Sequence, residues 1–145
     1  MLVKDIMTRK VATVGANIPL ATAARRMRDH EIGYLLVVED ERVIGMLTDR
    51  DVVVRGVAEG LDPVYSVVRE AMSANAVACS VDDTVDQAQD LMTAHRIKRL
   101  PVLDRRERLV GLVSLSDLSG RSGKSGAARG RVSENRGLPS WAADL

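Results

Sequence analysis

The chain writes one pattern twice. Residues 45–52 read GMLTDRDV and residues 111–118 read GLVSLSDL, each with a Gly, an apolar run, a hydroxyl and an Asp three residues beyond it. Sliding the sequence against itself by about 65 residues extends the match, with DIMT at 5–8 over EAMS at 70–73 and MRDHEI at 27–32 over MTAHRI at 92–97. One extra residue in the second hairpin moves the offset to 66, and then Gly45 meets Gly111, Thr48 meets Ser114 and Asp51 meets Asp117. So many coincidences in one order require a duplicated unit. A unit of about 60 residues is marginal alone, so the two halves are expected to gain by packing together.

Each copy reads as strand, helix, strand, strand, helix. VATV and then AVACS are short apolar strands. The helix that follows is announced by Pro19 in the first copy and by Asp82, Asp83 and Thr84 in the second, residues that suit a first helical turn or cap its free N–H groups. Leu20, Ala23, Ala24 and Met27 form one apolar stripe, and Val85, Ala88, Leu91 and Met92 form the other. YLLVVE turns through DE into RVIGMLT, and RLPVLD turns through RRE into RLVGLVS. The Thr or Ser then opens a second helix. EGLDPVYSVV joins the copies, with Pro63 expected to start a helix of its own.

A hydroxyl at a strand end where a helix begins sits beside unpaired backbone N–H groups, which attract anions such as phosphate. An Asp one helical turn on faces the same side, and an ionised carboxylate accepts both hydroxyls of a ribose. The pair suits a nucleoside with phosphate. The same residues at the same spacing also form a helix-capping box, and spacing alone does not separate the two readings.

The combination of DIMT leading in, HRIKRLPVLD in the middle, and GMLTDRD and GLVSLSD closing the two copies resembles the cystathionine β-synthase (CBS) domain in its tandem arrangement, the Bateman module. The first half is particularly similar to small stand-alone CBS-pair proteins of actinobacteria. The resemblance implies an α/β (α+β) fold of two tandem β-α-β-β-α repeats packed sheet to sheet around a pseudo-twofold axis, with repeat 1 at 2–60, a linker at 61–69, repeat 2 at 70–120 and a basic tail at 121–145. It implies a non-enzymatic regulatory module, acting as an energy or stress sensor, that binds an adenosine ligand and forms a homodimer. AMP, ADP and ATP are the leading ligands, with NADH and S-adenosylmethionine behind them and no required cofactor.

Carried over residue by residue, the resemblance groups Ser114 and Asp117 with Ala12, Ile32, Gly33 and Tyr34 in one cleft, and Thr48 and Asp51 with Ala78, Ile97, Lys98 and Arg99 in another. Arg50, Lys98, Arg99 and Ser116 are the candidates for phosphate. The second cleft, complete and cationic, ranks first for a phosphorylated ligand. Leu36 stands where the second copy has the family's Pro101, and Tyr34 puts a ring where small residues are common.

Other features exclude more than they suggest. Lys and Arg outnumber Asp and Glu by only 21 to 20, which gives no basic field for nucleic acid. Aromatics are 2% of the chain with no Phe, so Val, Leu, Ile, Met and Ala must build the core. Cys79 alone makes neither a disulfide nor a cysteine zinc cluster and reads as a buried thiol, while His30 and His95 read as helix C-terminal residues. No apolar run approaches the roughly 18 residues of a membrane span, and the expected location is cytoplasmic. GRSGKSG at 120–126 lacks the first Gly of a phosphate loop. Residues 121–145 hold five basic and two acidic residues, read as a flexible tail in which only LPSWAADL, with Trp141, has the apolar surface to dock on this chain or on a client protein.

Overall fold

The computed structural model describes residues 1–74 and 77–121. The tail expectation, the phosphate-loop lookalike beyond Arg121 and Trp141 lie outside the described residues. The duplicated element order is present. The first repeat runs through β1 (Thr13–Gly15), α1 (Leu20–His30), β2 (Tyr34–Glu39), β3 (Arg42–Thr48) and α2 (Asp49–Asp51), which continues as a π-helical stretch, Val52–Val57. After β4 (Ser73–Ala74), the second runs through β5 (Cys79–Ser80), α3 (Val85–His95), β6 (Arg99–Leu103), β7 (Leu109–Ser114) and α4 (Leu115–Arg121).

Two compact units result, and their boundaries do not follow the repeats. Of the described residues, one holds 12–74; the other joins 1–11 to 77–121. Each unit therefore takes its lead-in strand from the sequence ahead of the other repeat.

In the unit formed by 12–74 the sheet order is β1-β2-β3-β4, with β1 parallel to β2 and the remaining pairs antiparallel. The parallel pair needs a crossover, which α1 supplies. Leu20, Ala23 and Met27 are buried, as the stripe predicts, and they meet Val14, Leu35, Val37, Leu47, Val68 and Ala71 in one core. Pro19 offers no side-chain cap. The connecting segment does that work instead, since Leu20 N–H donates to Ser66 O (2.9 Å) and Ala21 N–H to Pro63 O (2.8 Å). The helix expected at Pro63 is a turn over Asp62–Ser66, because these carbonyls are turned toward α1 rather than along a helix of their own.

In the other unit the sheet order is β5-β6-β7, and Thr8 bridges Leu112 through Thr8 N–H to Leu112 O (2.8 Å) and Leu112 N–H to Thr8 O (2.9 Å). Val3, Cys79, Ala88, Met92, Leu100, Val102, Val113 and Leu118 form its core. Thr84 caps α3 reciprocally with Gln87, at 3.1 Å from Gln87 N–H to Thr84 Oγ1 and 2.8 Å from Thr84 N–H to Gln87 Oε1. Asp104 pins the β6–β7 turn by accepting from Arg108 N–H (2.9 Å), Arg106 N–H (2.8 Å) and Arg108 Nε (3.0 Å), and these bonds, the one from Arg108 N–H foremost, hold its carboxyl below the usual carboxylate range.

The repeated Gly is explained by close approach. A Cβ on Gly45 would lie 2.5 Å from Ser73 O and 3.1 Å from Met72 Sδ; one on Gly111 would lie 2.6 Å from Met7 Sδ and 3.0 Å from Thr8 O. In each unit the lead-in strand, EAMS or DIMT, crosses the last strand where only a hydrogen fits. The acidic residue that opens each lead-in is likewise structural: Asp5 Oδ2 accepts from Leu2 N–H (2.9 Å) and Glu70 Oε2 from Val67 N–H (2.8 Å).

Candidate functional site

Both helices that precede the candidate residues end alike. Glu31 (φ 53°) and Arg96 (φ 55°) take the left-handed conformation, and Ile32 N–H donates to Met27 O while Ile97 N–H donates to Met92 O, each at 3.0 Å. The chain is thereby thrown straight into β2 at Gly33 and Tyr34, and into β6 at Lys98 and Arg99. The ladders then fix the neighbours. Tyr34 stands opposite Thr48 and Arg99 opposite Ser114, while Asp49 N–H donates to Gly33 O (2.9 Å) and Leu115 N–H to Lys98 O (2.8 Å).

At the first junction Asp51 N–H donates to Thr48 Oγ1 (3.1 Å) and Thr48 N–H to Asp51 Oδ2 (3.0 Å). At the second Asp117 N–H donates to Ser114 Oγ (3.2 Å) and Ser114 N–H to Asp117 Oδ2 (2.8 Å), with Ser116 Oγ 2.8 Å from Ser114 Oγ. The hydroxyl and the Asp are thus a capping box in both repeats. That is half of the question the spacing left open, and it leaves the other half standing. Both boxes use Oδ2, so Oδ1 of each carboxylate and the proton of the Thr48 hydroxyl are outside them. All four residues are half-buried, at a strand end that solvent still reaches.

The two junctions carry the same net charge, distributed differently. In the first, the three leading N–H groups of the helix are all engaged, Asp49 with Gly33 O, Arg50 with Asp49 Oδ1 (2.9 Å) and Asp51 with Thr48 Oγ1. The open N–H groups that the sequence suggests for phosphate are therefore filled there, partly by the carboxylate of Asp49. In the second junction the place of Asp49 is taken by Leu115.

The remaining predicted residues fall around these junctions within their own units. Ala12, at the foot of β1, accepts from Leu36 N–H (3.1 Å), and Ile32, Gly33 and Tyr34 are half-buried beside it; Arg50 is exposed. Ala78 precedes β5, Ile97 and Arg99 are half-buried, and Lys98 and Ser116 are exposed. The ladders describe companions from within each repeat. The sequence reading did not single out Asp49 and Leu115, although their position one residue past the hydroxyl was visible as a charge difference between the copies.

Cys79 is buried in β5, and desolvation, with the Asp83 charge second, pushes its thiol up to about 12. Such a thiol is no nucleophile at neutral pH. Among the described residues no group of three His, Cys, Asp or Glu side chains is placed to hold a metal ion, and no helix is long and apolar enough to cross a membrane.

The model of the CBS domain matches residues 3–56 and 68–122. The chain belongs to the CBS domain family. CBS domain-containing protein YhcV of Bacillus subtilis is 43% identical over 109 residues, which cover 75% of this chain and 76% of that one. Hypoxic response protein 1 of Mycobacterium tuberculosis is 38% identical over 109 residues, covering 74% and 76%. Among solved structures, the CBS domain pair of MJ0100, in complex with 5′-methylthioadenosine and S-adenosyl-L-methionine, aligns with a TM-score of 0.73 at 29% identity over 85% of this chain and 96% of that one. The mixed α+β architecture with two sheets is the CBS-pair architecture of these neighbours.

Proposed function

We propose that this CBS pair is a non-catalytic sensor that binds an adenosine ligand of the AMP, ADP or ATP type and passes its occupancy to a client protein. The observation that carries the reading is the twice-built junction: a half-buried carboxylate, held in place by a cap through Oδ2, keeps Oδ1 for a ribose hydroxyl. The adenosine ligands in the MJ0100 complex support the chemical class. Asp51 and Asp117 hold ribose, the strand edges at Ala12, Ile32–Tyr34, Ala78 and Ile97 meet the base, and Arg50, Lys98, Arg99 and Ser116 meet phosphate. The protein is cytoplasmic and homodimeric in this reading, with no metal and no catalytic residue.

A second reading follows from the caps themselves. If the hydroxyl and the Asp serve folding alone, the chain is an interaction scaffold that acts through its surface. Thermal unfolding with AMP, ADP, ATP, NADH and S-adenosylmethionine separates the two, provided the variants respect the cap. Asp51→Asn and Asp117→Asn keep an oxygen for the Thr48 or Ser114 N–H but replace the other with a donor that cannot accept from ribose. A ligand at 100 times its Kd stabilises the fold by about 2.7 kcal/mol, a shift of several degrees. The sensor predicts that shift in the parent and its reduction in an Asn variant whose unliganded midpoint is close to the parent's. A parent unmoved by every nucleotide sinks it in favour of the scaffold.

A further inference from the structure

Each glycine crossed by a lead-in strand is also met by a methionine sulfur. Met72 Sδ lies 3.1 Å from where a Cβ on Gly45 would stand, and Met7 Sδ lies 2.6 Å from the same point at Gly111. Both methionines close the same short turn. A 3-10 turn, Val68–Glu70 in one unit and Val3–Asp5 in the other, is anchored by a fully buried Val, and Met72 N–H donates to Val68 O (2.9 Å) as Met7 N–H does to Val3 O (3.0 Å). The two side chains pack on the apolar core of their own unit, yet both residues are only half-buried, whereas Met27 and Met92 in the same cores are 6% and 2% exposed. The strands they fasten are lightly held. β4 pairs with β3 only through Gly45 with Ala74 and Met46 with Ser73, and the bridge of Thr8 with Leu112 is its counterpart.

We propose that Met72 and Met7 are a paired oxidation site through which a hydroperoxide loosens both lead-in strands. The thioether sulfur gives an electron pair to one peroxide oxygen; the S–O bond forms as the O–O bond breaks, and the proton of the transferred oxygen moves to the leaving oxygen, which departs as water or an alcohol. Sulfur is oxidised to the sulfoxide and the peroxide is reduced. A flexible apolar side chain thereby becomes a polar one whose new oxygen only accepts hydrogen bonds. Its present seat offers no donor side chain: among the described residues no buried side chain is polar or charged, and what shares the space over each glycine with the sulfur is another acceptor, Ser73 O or Thr8 O. The oxidised side chain swings out to water, and the lead-in loses the contact that holds it over its glycine.

The full chain is treated with hydrogen peroxide, the methionines that gain oxygen are assigned by fragment mass spectrometry, and the urea midpoint is followed by circular dichroism before oxidation, after it, and after repair by methionine sulfoxide reductases for both epimers. Met7→Leu/Met72→Leu keeps the apolar bulk without the sulfur. Met72 and Met7 are expected to gain oxygen several-fold faster than Met27 and Met92, with a fall in the parent's midpoint that repair reverses. The double variant is expected to keep its midpoint although Met1, 66% exposed, is still oxidised. Hydrogen exchange in the oxidised parent, faster at Thr8, Ser73 and Ala74, places the loosening without any substitution. Four results overturn the proposal: Met7 and Met72 resisting peroxide that fully oxidises Met1, a midpoint unmoved once both are oxidised, unchanged exchange at the lead-ins, and an equal fall in the double variant, which assigns the loss to Met46 or Cys79.

Discussion

Replacing Gly45 with Ala tests whether the lead-in strand is clamped as the structure describes. The added carbon would stand 2.5 Å from Ser73 O, and relief to the shortest ordinary carbon–oxygen contact of about 3.3 Å requires β4 to retreat by roughly 0.8 Å. That movement acts on the pairs Gly45 with Ala74 and Met46 with Ser73, the whole of the β3–β4 ladder. Overpacking of this kind costs about 1–3 kcal/mol, and restricting the unfolded chain returns about 0.4–1 kcal/mol, leaving a net loss of about 1.3 kcal/mol at the middle of both ranges. Gly111→Ala is the internal comparison. Its nearest obstacle, at 2.6 Å, is the end of the Met7 side chain, which can turn away, and Thr8 O at 3.0 Å has less far to move. A loss of about 0–1 kcal/mol is expected there. Urea unfolding followed by circular dichroism gives both values, and hydrogen exchange at Ser73 and Ala74 shows whether the loss is local. A Gly45→Ala variant as stable as the parent, or one less affected than Gly111→Ala, would refute the clamp.

Thr84→Ala removes the side-chain acceptor for Gln87 N–H at the start of α3 and is expected to cost about 1 kcal/mol in the same urea assay. Cys79 sets an alkaline limit. With its thiol held near 12 in the fold and near 9.0 when exposed, both states are neutral below about pH 9; above that the unfolded chain ionises first, so stability falls as pH rises toward 12. Cys79→Ala lacks this contribution, so the gap between parent and variant should narrow over that range, and parallel curves would remove Cys79 as the cause.

Duplication made much of the fold legible, since one pattern read twice corrects its own ambiguities. The hairpin strands Tyr34–Glu39 and Arg42–Thr48 stand where the alternation and the DE turn put them, because Asp40 and Glu41 take positive φ (52° and 65°) in a tight two-residue turn. Two things escaped. Pro63 looked like a helix start, but the carbonyls around it were claimed by α1, a demand made by residues more than forty positions earlier. The exchange of lead-ins was hidden because DIMT and EAMS are alike, and either fits over either glycine by sequence. The site was legible as residue types and not as a decision, for one set of atoms can cap a helix and face a ligand.

Nor are the two junctions equivalent, although the repeat suggested that they would be. Asp49 places a carboxylate on the first turn of the first helix and occupies Arg50 N–H, so a phosphate brought there finds the leading N–H groups used. At the second junction Leu115 carries no charge, and Lys98 and Arg99 belong to the adjoining strand edge. Two unit charges 4 Å apart interact by about 4 kcal/mol at the effective dielectric of a protein surface, an upper scale that salt reduces, yet even a third of it is a factor of ten in binding. Within the sensor reading, the Asp49 carboxylate opposes the ranking that put the Thr48 and Asp51 junction first for phosphate, which Arg50 on the same turn supports. Should Asp49 outweigh Arg50, ATP depends more on Asp117 than on Asp51, while uncharged adenosine shows no such preference. Calorimetric titration of Asp51→Asn and Asp117→Asn with both ligands measures this, and Asp49→Asn should strengthen ATP binding at the first junction while leaving adenosine unchanged. If Asp51→Asn is the variant that abolishes ATP binding and Asp49→Asn changes nothing, local charge at the helix start does not select the ligand.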